Sequence, residues 1–267
     1  MLRAMKRRFR KMHGLGNDFV IFDGREAPVE MTEARARALA DRRTGIGCDQ
    51  LIVLERSDQA DVRMRIWNRD GGEVESCGNA ARCVALLLGG AGWIETAGGL
   101  LAASASGSEA TVDMGEPRFG WDEIPLAYPM DPAAMPVGWE ELREPFAVNV
   151  GNPHVVFFVE NSDAVELERL GPLIESDPLF PERINVNIAS IEGGAIKLRV
   201  WERGAGLTRA CGTGACATAV AAIERGLTSS PVEVRLPGGA LHIAWAPGST
   251  IAMSGPAVLV FEGEVTL

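Results

Sequence analysis

Arg65-Ile66-Trp67-Asn68-Arg69 is followed, ten residues after its Trp, by Cys77-Gly78-Asn79-Ala80. The pattern returns as Arg199-Val200-Trp201-Glu202-Arg203, and ten residues after that Trp stands Cys211-Gly212-Thr213-Gly214. A Gly-Asn pair lies upstream of each, Gly16-Asn17 and Gly151-Asn152. The Trp and Cys landmarks are 134 residues apart and the Asn landmarks 135. Three landmarks held in register over such distances mark two copies of one unit. Each copy is close to an ordinary domain in size. Between them, Glu116 to Pro145 holds six prolines. Proline removes backbone donors and restricts its neighbour, so this stretch reads as a connector. The expected division is residues 1–115 and 116–256, with a further strand at 257–267.

Each Cys-Gly pair opens a helical run, Ala80–Leu88 stopped by Gly89-Gly90 and Ala215–Arg225 stopped by Gly226. Both runs are apolar nearly all round, which is the pattern of a helix buried on every side. Short β-branched or apolar runs surround them, among them Phe19–Phe22, Leu51–Leu54, Val62–Trp67, His154–Val159, Ile184–Ile191 and Ile196–Trp201. Gly238-Gly239 marks a hairpin between two more. One buried helix per copy amid many strands predicts an α+β fold, a sheet curled around a central helix in each of two domains. Thr32–Arg43 reads as an amphipathic surface helix.

The composition excludes several classes of protein. The 267 residues carry a net charge of −10, with 46% hydrophobic residues. A duplex-binding protein needs a cationic face, so no nucleic-acid partner is expected. The basic cluster Lys6 to Lys11 reads as a solvated strand edge. No apolar run reaches the roughly 18 residues of a membrane span. The N-terminus, MLRAMKRRFRKMHG, lacks the apolar core of a secretory signal. It is a few residues longer than its strand needs, so Met5 stands beside Met1 as a candidate start. Five cysteines, an odd number, without a secretory signal argue for a reducing compartment and a cytoplasmic location. Three histidines are thin for a histidine-rich metal site. Cys77 with Cys83 and Cys211 with Cys216 are spaced too widely for the ligand pairs of a structural zinc site. Gly14-Leu15-Gly16 precedes a strand and lacks the third glycine of a dinucleotide fingerprint.

Cys77 and Cys211 sit where a loop becomes a helix, and free N–H groups gather there and favour an anion. That placement predicts thiols with a pKa lowered toward neutrality. Cys48, Cys83 and Cys216 lack this repeated placement and read as packing residues. Two thiols from two like domains suit inversion of a carbon centre, which needs a base on one face and an acid on the other. Asn17, Asn68, Asn152 and Asn185, with Gln50, supply uncharged two-way hydrogen bonding. Arg203 can fork onto a carboxylate and Glu202 can pair with an ammonium. His154, after Asn152-Pro153, fits either a group that tunes a thiol or a satisfied core histidine.

The motifs His13-Gly14-Leu15-Gly16-Asn17-Asp18-Phe19, Cys77-Gly78-Asn79, Gly151-Asn152-Pro153-His154 and Cys211-Gly212-Thr213-Gly214, in that order, resemble the signatures of the diaminopimelate epimerases. The resemblance covers nearly the whole chain. It implies a cofactor-independent epimerase converting LL-2,6-diaminopimelate to the meso form, in lysine and peptidoglycan biosynthesis. It makes Cys77 and Cys211 the acid and base. Asn17, Asn68, Asn152, Asn185, Glu202 and Arg203 then hold the distal end of the substrate. Gly78-Asn79 and Gly212-Thr213 hold the reacting carboxylate. It also implies mostly antiparallel barrel-like sheets around each helix, a homodimer, and return of the strand at 257–267 to the first domain. Ala80 stands where these proteins commonly have glycine, which is harmless if its φ is negative. A proline racemase-like enzyme is the nearest alternative, but its substrate has no distal end for the asparagines and Arg203 to hold.

Overall fold

The structure, a computed structural model, describes residues 5–75 and 77–267; Met1, one of the two candidate starts, lies outside the described residues. The fold is mixed α+β, mostly strand with four α-helices among the described residues. Backbone contacts divide the chain into residues 1–112 with 255–267, and residues 113–254.

In the first unit, strand Lys6–Gly14 pairs antiparallel with Asn17–Asp23, which pairs parallel with Gln50–Glu55. Parallel neighbours need a crossover, and helix α1, Glu33–Ala40, makes it. Gln50–Glu55 continues antiparallel to Val62–Asn68, which lies parallel to Gly92–Thr96. Helix α2, Gly78–Leu88, is the crossover here. Antiparallel strands Gly99–Ser106 and Glu109–Asp113 follow. Strand Val258–Thr266 runs antiparallel along Lys6–Gly14. One face packs Val20, Phe22, Leu51, Val53 and Trp67 against Ala36, Leu39 and Ala40 of α1. Helix α2 lies against Lys6–Gly14, Gly92–Thr96 and Gly99–Ser106.

The second unit repeats this path. Phe146–Asn149 pairs with Pro153–Phe158, which runs parallel to Asn185–Glu192 across helix α3, Leu167–Glu175. Ala195–Glu202 follows antiparallel and lies parallel to Val232–Leu236 across helix α4, Gly212–Glu224. Antiparallel Gly239–Ala244 and Ala252–Pro256 complete it. Strands Phe146–Asn149, Pro153–Phe158, Asn185–Glu192, Ala195–Glu202, Val232–Leu236 and Gly239–Ala244 all touch α4, so this sheet does wrap its helix.

Three details differ from the sequence reading. The basic strand is a solvated edge over only its first half: Val258–Thr266 flanks Lys6–His13 on one side, but Asn17–Ile21 pairs with Arg10–Gly14 on the other, and Lys11 turns inward onto Asp18 and the Gly47 carbonyl. The surface helix is shorter than Thr32–Arg43, capped by Thr32 and ending at Ala40, because Asp41 takes the N–H groups of Arg43 and Thr44 into a turn. Helix α3 was not visible in the sequence. Gly171 and Pro172 argue against a helix there, yet a Cβ on Gly171 would lie 2.5 Å from the Trp201 ring, so close packing dictates the glycine.

Candidate active site

In the first unit, the turn at Leu15-Gly16 delivers Asn17. Leu15 has φ 56° and Gly16 φ 85°, the two left-handed residues that a tight hairpin turn requires. Glycine adopts this freely; Leu15 carries strain of about 1 kcal/mol or more, held by its burial. Asn17 Nδ2 donates to Asp49 Oδ2 at 3.3 Å, and Asn17 Oδ1 accepts from Asn79 Nδ2 at 3.1 Å. Cys77 Sγ lies 4.0 Å from the same oxygen. Arg42 ties Asp49 to Asp18, and Lys11 joins them. Burial pushes the Asp18 carboxyl up, but hydrogen bonds from Arg42 and Lys11 outweigh it and hold the group well below the usual carboxylate range.

Cys77 has an extended backbone and is the residue on which α2 starts; it is half-buried, while Gly78 and Asn79 behind it are buried. Ala80 sits in the first turn of the helix without a positive φ, so the missing glycine costs nothing. Gln50 and Asn68 face each other across adjacent strands, Gln50 Nε2 donating to Asn68 Oδ1 at 2.9 Å. Gln50 Oε1 is buried and has no donor among the described residues.

In the second unit, His154 is fully buried between two amides. Asn187 Nδ2 is 3.1 Å from its Nδ1, and Asn152 Oδ1 is 2.9 Å from its Nε2. Burial pushes its pKa down to about 3, so the ring is neutral. An amide N–H can only donate, so Nδ1 accepts and Nε2 carries the proton that goes to Asn152. Asn185 Nδ2 donates to the Pro153 carbonyl at 2.8 Å, and its Oδ1 accepts the Arg203 N–H at 2.9 Å. The exposed Arg203 guanidinium gives one donor to the Glu182 carbonyl at 3.0 Å.

Cys211 starts α4 and is buried. The Gly214 N–H donates to its sulfur at 3.3 Å, and the Thr213 hydroxyl lies at 3.5 Å. Glu202 accepts from the Thr208 hydroxyl and is hydrogen-bonded to Cys211. Burial, then the Glu202 charge, push the Cys211 thiol well above its ordinary value, against the hydroxyl and the amide. The helix start alone predicted a lowered pKa for this thiol; desolvation is the larger effect. Burial likewise pushes the Glu202 carboxyl up. It raises Cys48 to about 11 and Cys83 to about 12, which fits packing roles for both.

The structure thus gathers Asn17, Asn79 and Cys77 in the first unit, with Gln50 and Asn68 joined to each other. In the second it gathers Glu202, Cys211 and Thr213, then Asn152 with His154, and Asn185 with Arg203. Sequence reasoning missed Asp49, Arg82, Asn187 and Glu175. Asn187 was findable, because it lies two residues from Asn185 on one strand and so shares its face. Arg82 was findable as the one charge inside an apolar helical run. Glu175 accepts from Trp201 Nε1 at 2.7 Å and the Gly204 N–H at 2.9 Å, and nothing local in the sequence marks it.

A diaminopimelate epimerase family profile matches residues 9–120 and 146–260. The chain belongs to the diaminopimelate epimerase family. A relative from Rhizorhabdus wittichii, named diaminopimelate epimerase, is 67% identical over 265 residues, covering 98% of this chain and 97% of its own. One of the same name from Zymomonas mobilis is 60% identical over 258 residues, covering 96% of each. Among solved structures, a PhzF-family phenazine biosynthesis protein from Bacillus anthracis superposes with a TM-score of 0.70 at 17% identity, over 98% of this chain and 100% of the other. A hydroxyproline epimerase from Agrobacterium vitis gives 0.69 at 17% identity, over 100% and 93%. At such identity these structures establish the shared fold alone.

Proposed function

We propose that the chain interconverts LL-2,6-diaminopimelate and meso-2,6-diaminopimelate without a cofactor, with Cys77 and Cys211 as its proton-transfer groups. One observation carries this reading: each of two like-built units starts a buried helix on a cysteine. The uncompensated N–H groups of a first turn attract a carboxylate, so Gly78-Asn79 and Gly212-Thr213 are suited to the reacting end of the substrate. One sulfur, as thiolate, removes the α-proton. The other, as thiol, delivers a proton to the opposite face, the carbon inverts, and the sulfurs exchange protonation states. Burial and the Glu202 neighbour disfavour the Cys211 anion, so Cys211 rests as the thiol.

The amide groups suit a zwitterionic distal end. Gln50 Oε1 is an acceptor in want of a donor, which an ammonium supplies. Arg203 keeps donors for a carboxylate beyond the one given to Glu182. Asn17, Asn68, Asn152, Asn185 and Glu202 complete this set. A monoamino substrate such as proline leaves these polar groups unpaired, so a proline racemase-like activity is disfavoured. A cytoplasmic homodimer is the expected state. The exposed apolar run Val258, Leu259, Val260 and Phe261 supports self-association, and sizing by light scattering tests it.

The deciding assay is purified protein with LL-diaminopimelate, no pyridoxal phosphate, and chiral chromatography. Meso product is expected. In D₂O, early product should carry a solvent deuteron at the inverted carbon while unreacted substrate stays mostly unlabelled. No epimerisation, or equal rates on alanine and diaminopimelate, overturns the reading.

A further inference from the structure

Arg82 is the largest side chain buried without exposure, and the mechanism above does not use it. It stands three residues after Asn79 on α2, where side chains are neighbours. Its Nη2 donates to Asn79 Oδ1 at 2.9 Å. We infer that Arg82 is a positioning residue for Cys77, acting through the Asn79 amide to fix which atom of Asn17 faces the sulfur. The inference rests on the reading of Cys77 as a proton-transfer group.

A guanidinium only donates, so the Asn79 oxygen must face Arg82 and its Nδ2 must point away, to Asn17 Oδ1 at 3.1 Å. At the far end, the Asp49 carboxylate accepts from Asn17 Nδ2 at 3.3 Å. Two amides are therefore held head to tail between a donor-only group and an acceptor. Neither can flip without setting oxygen against oxygen or N–H against N–H, and a flip leaves buried groups unpaired. The outcome is that Asn17 presents oxygen to Cys77 Sγ, at 4.0 Å. Gly14 of the facing strand passes close to the guanidinium: a Cβ there would lie 3.0 Å from Nη2, a tight contact that the glycine avoids. The second unit has no such device. At the same repeat offset, Thr213 replaces Asn79 and Cys216 replaces Arg82.

A double-mutant cycle over Arg82→Met and Asn79→Ala tests this, read as the iodoacetamide alkylation rate of Cys77 by peptide mass spectrometry. Cys48, Cys83 and Cys216 are buried, and their protection reports an intact fold. Arg82→Met is expected to change the Cys77 rate by about fivefold, the worth of one hydrogen bond. In the Asn79→Ala background the same substitution should change nothing, because its route is gone. The Cys211 rate should stay constant throughout. An equal effect of Arg82→Met in both backgrounds means that Arg82 acts by its charge or its bulk, and it overturns the inference; so does no effect in either. If Arg82→Met exposes the buried cysteines, Arg82→Met/Asn79→Leu, which replaces both partners by apolar groups, is compared with Asn79→Leu, and a difference between them overturns it. Since alkylation needs no turnover, loss of the relay and loss of the proposed epimerase activity are separate results.

Discussion

The two cysteines occupy equivalent places, yet their surroundings have diverged. Cys77 is half-buried, faces an amide oxygen, and its sulfur accepts no cap hydrogen bond from the first turn of α2. Cys211 is buried, accepts an N–H from Gly214 and lies against the Glu202 carboxylate. Asn68 stands where the second unit has Glu202, and the fully buried Phe19 stands where it has His154. Duplication supplied two equal helix starts, and side-chain exchange at a few positions made two unequal thiols.

The largest test asks whether both sulfurs are needed. Cys77→Ala and Cys211→Ala should each lower the rate of LL-to-meso conversion by about 10³-fold or more, the upper part of the range for a proton-transfer group. Substantial activity in either would leave one unit chemically idle. Next comes His154 against Phe19. The folded pKa of His154 is about 3 against an ordinary 6.5. The native state therefore binds fewer protons than the unfolded chain between these values. Stability should fall as pH drops from about 6.5 toward 3, at up to about 1.4 kcal/mol per unit. His154→Phe, which copies the first unit, should flatten that slope in denaturant titrations. An unchanged slope would mean that His154 is not the group responsible.

Glu202→Gln removes the charge beside Cys211. The thiol should then ionise more readily, and the pH midpoint for its alkylation should move down while that of Cys77 stays put. A shift at Cys77 alone would contradict the local account. Smallest is Thr213→Val, which removes a hydroxyl at 3.5 Å from Cys211 Sγ. A weak hydrogen bond of about 0.5 kcal/mol predicts a slowing of Cys211 alkylation by about twofold, since the hydroxyl favours the thiolate.

How far the sequence carried depended on whether the deciding interaction was local. The repeat, the helix starts and the strands of Trp67 and Trp201 were legible because each is written in consecutive residues. Helix α3 was hidden because its glycine answers to Trp201, some thirty residues later. Lys11 reads as part of a solvated cluster because its partner Asp18 is reached only after the chain turns at Leu15-Gly16. The Cys211 thiol was misjudged because a helix start can be read from spacing, whereas the depth at which it is buried cannot. Asp49, Arg82 and Asn187 reach Asn17, Asn79 and His154 through side chains, which spacing along the chain does not reveal.

Strand Lys6–Gly14 finds its partner in Val258–Thr266, with Lys6 set opposite Thr266. Everything in between must be threaded before that ladder can zip. Closing so long a loop by random search is entropically slow. The second unit relieves this, for Met114 donates to the Ile251 carbonyl at 2.8 Å and Ile251 to the Gly115 carbonyl at 2.9 Å. Once folded, it draws its own entry and exit points together. It then works as a clasp that shortens the path between the two outer strands. The later-encoded half thereby becomes the template for finishing the earlier one, and refolding should show the contiguous unit gaining protection from hydrogen exchange before the split one.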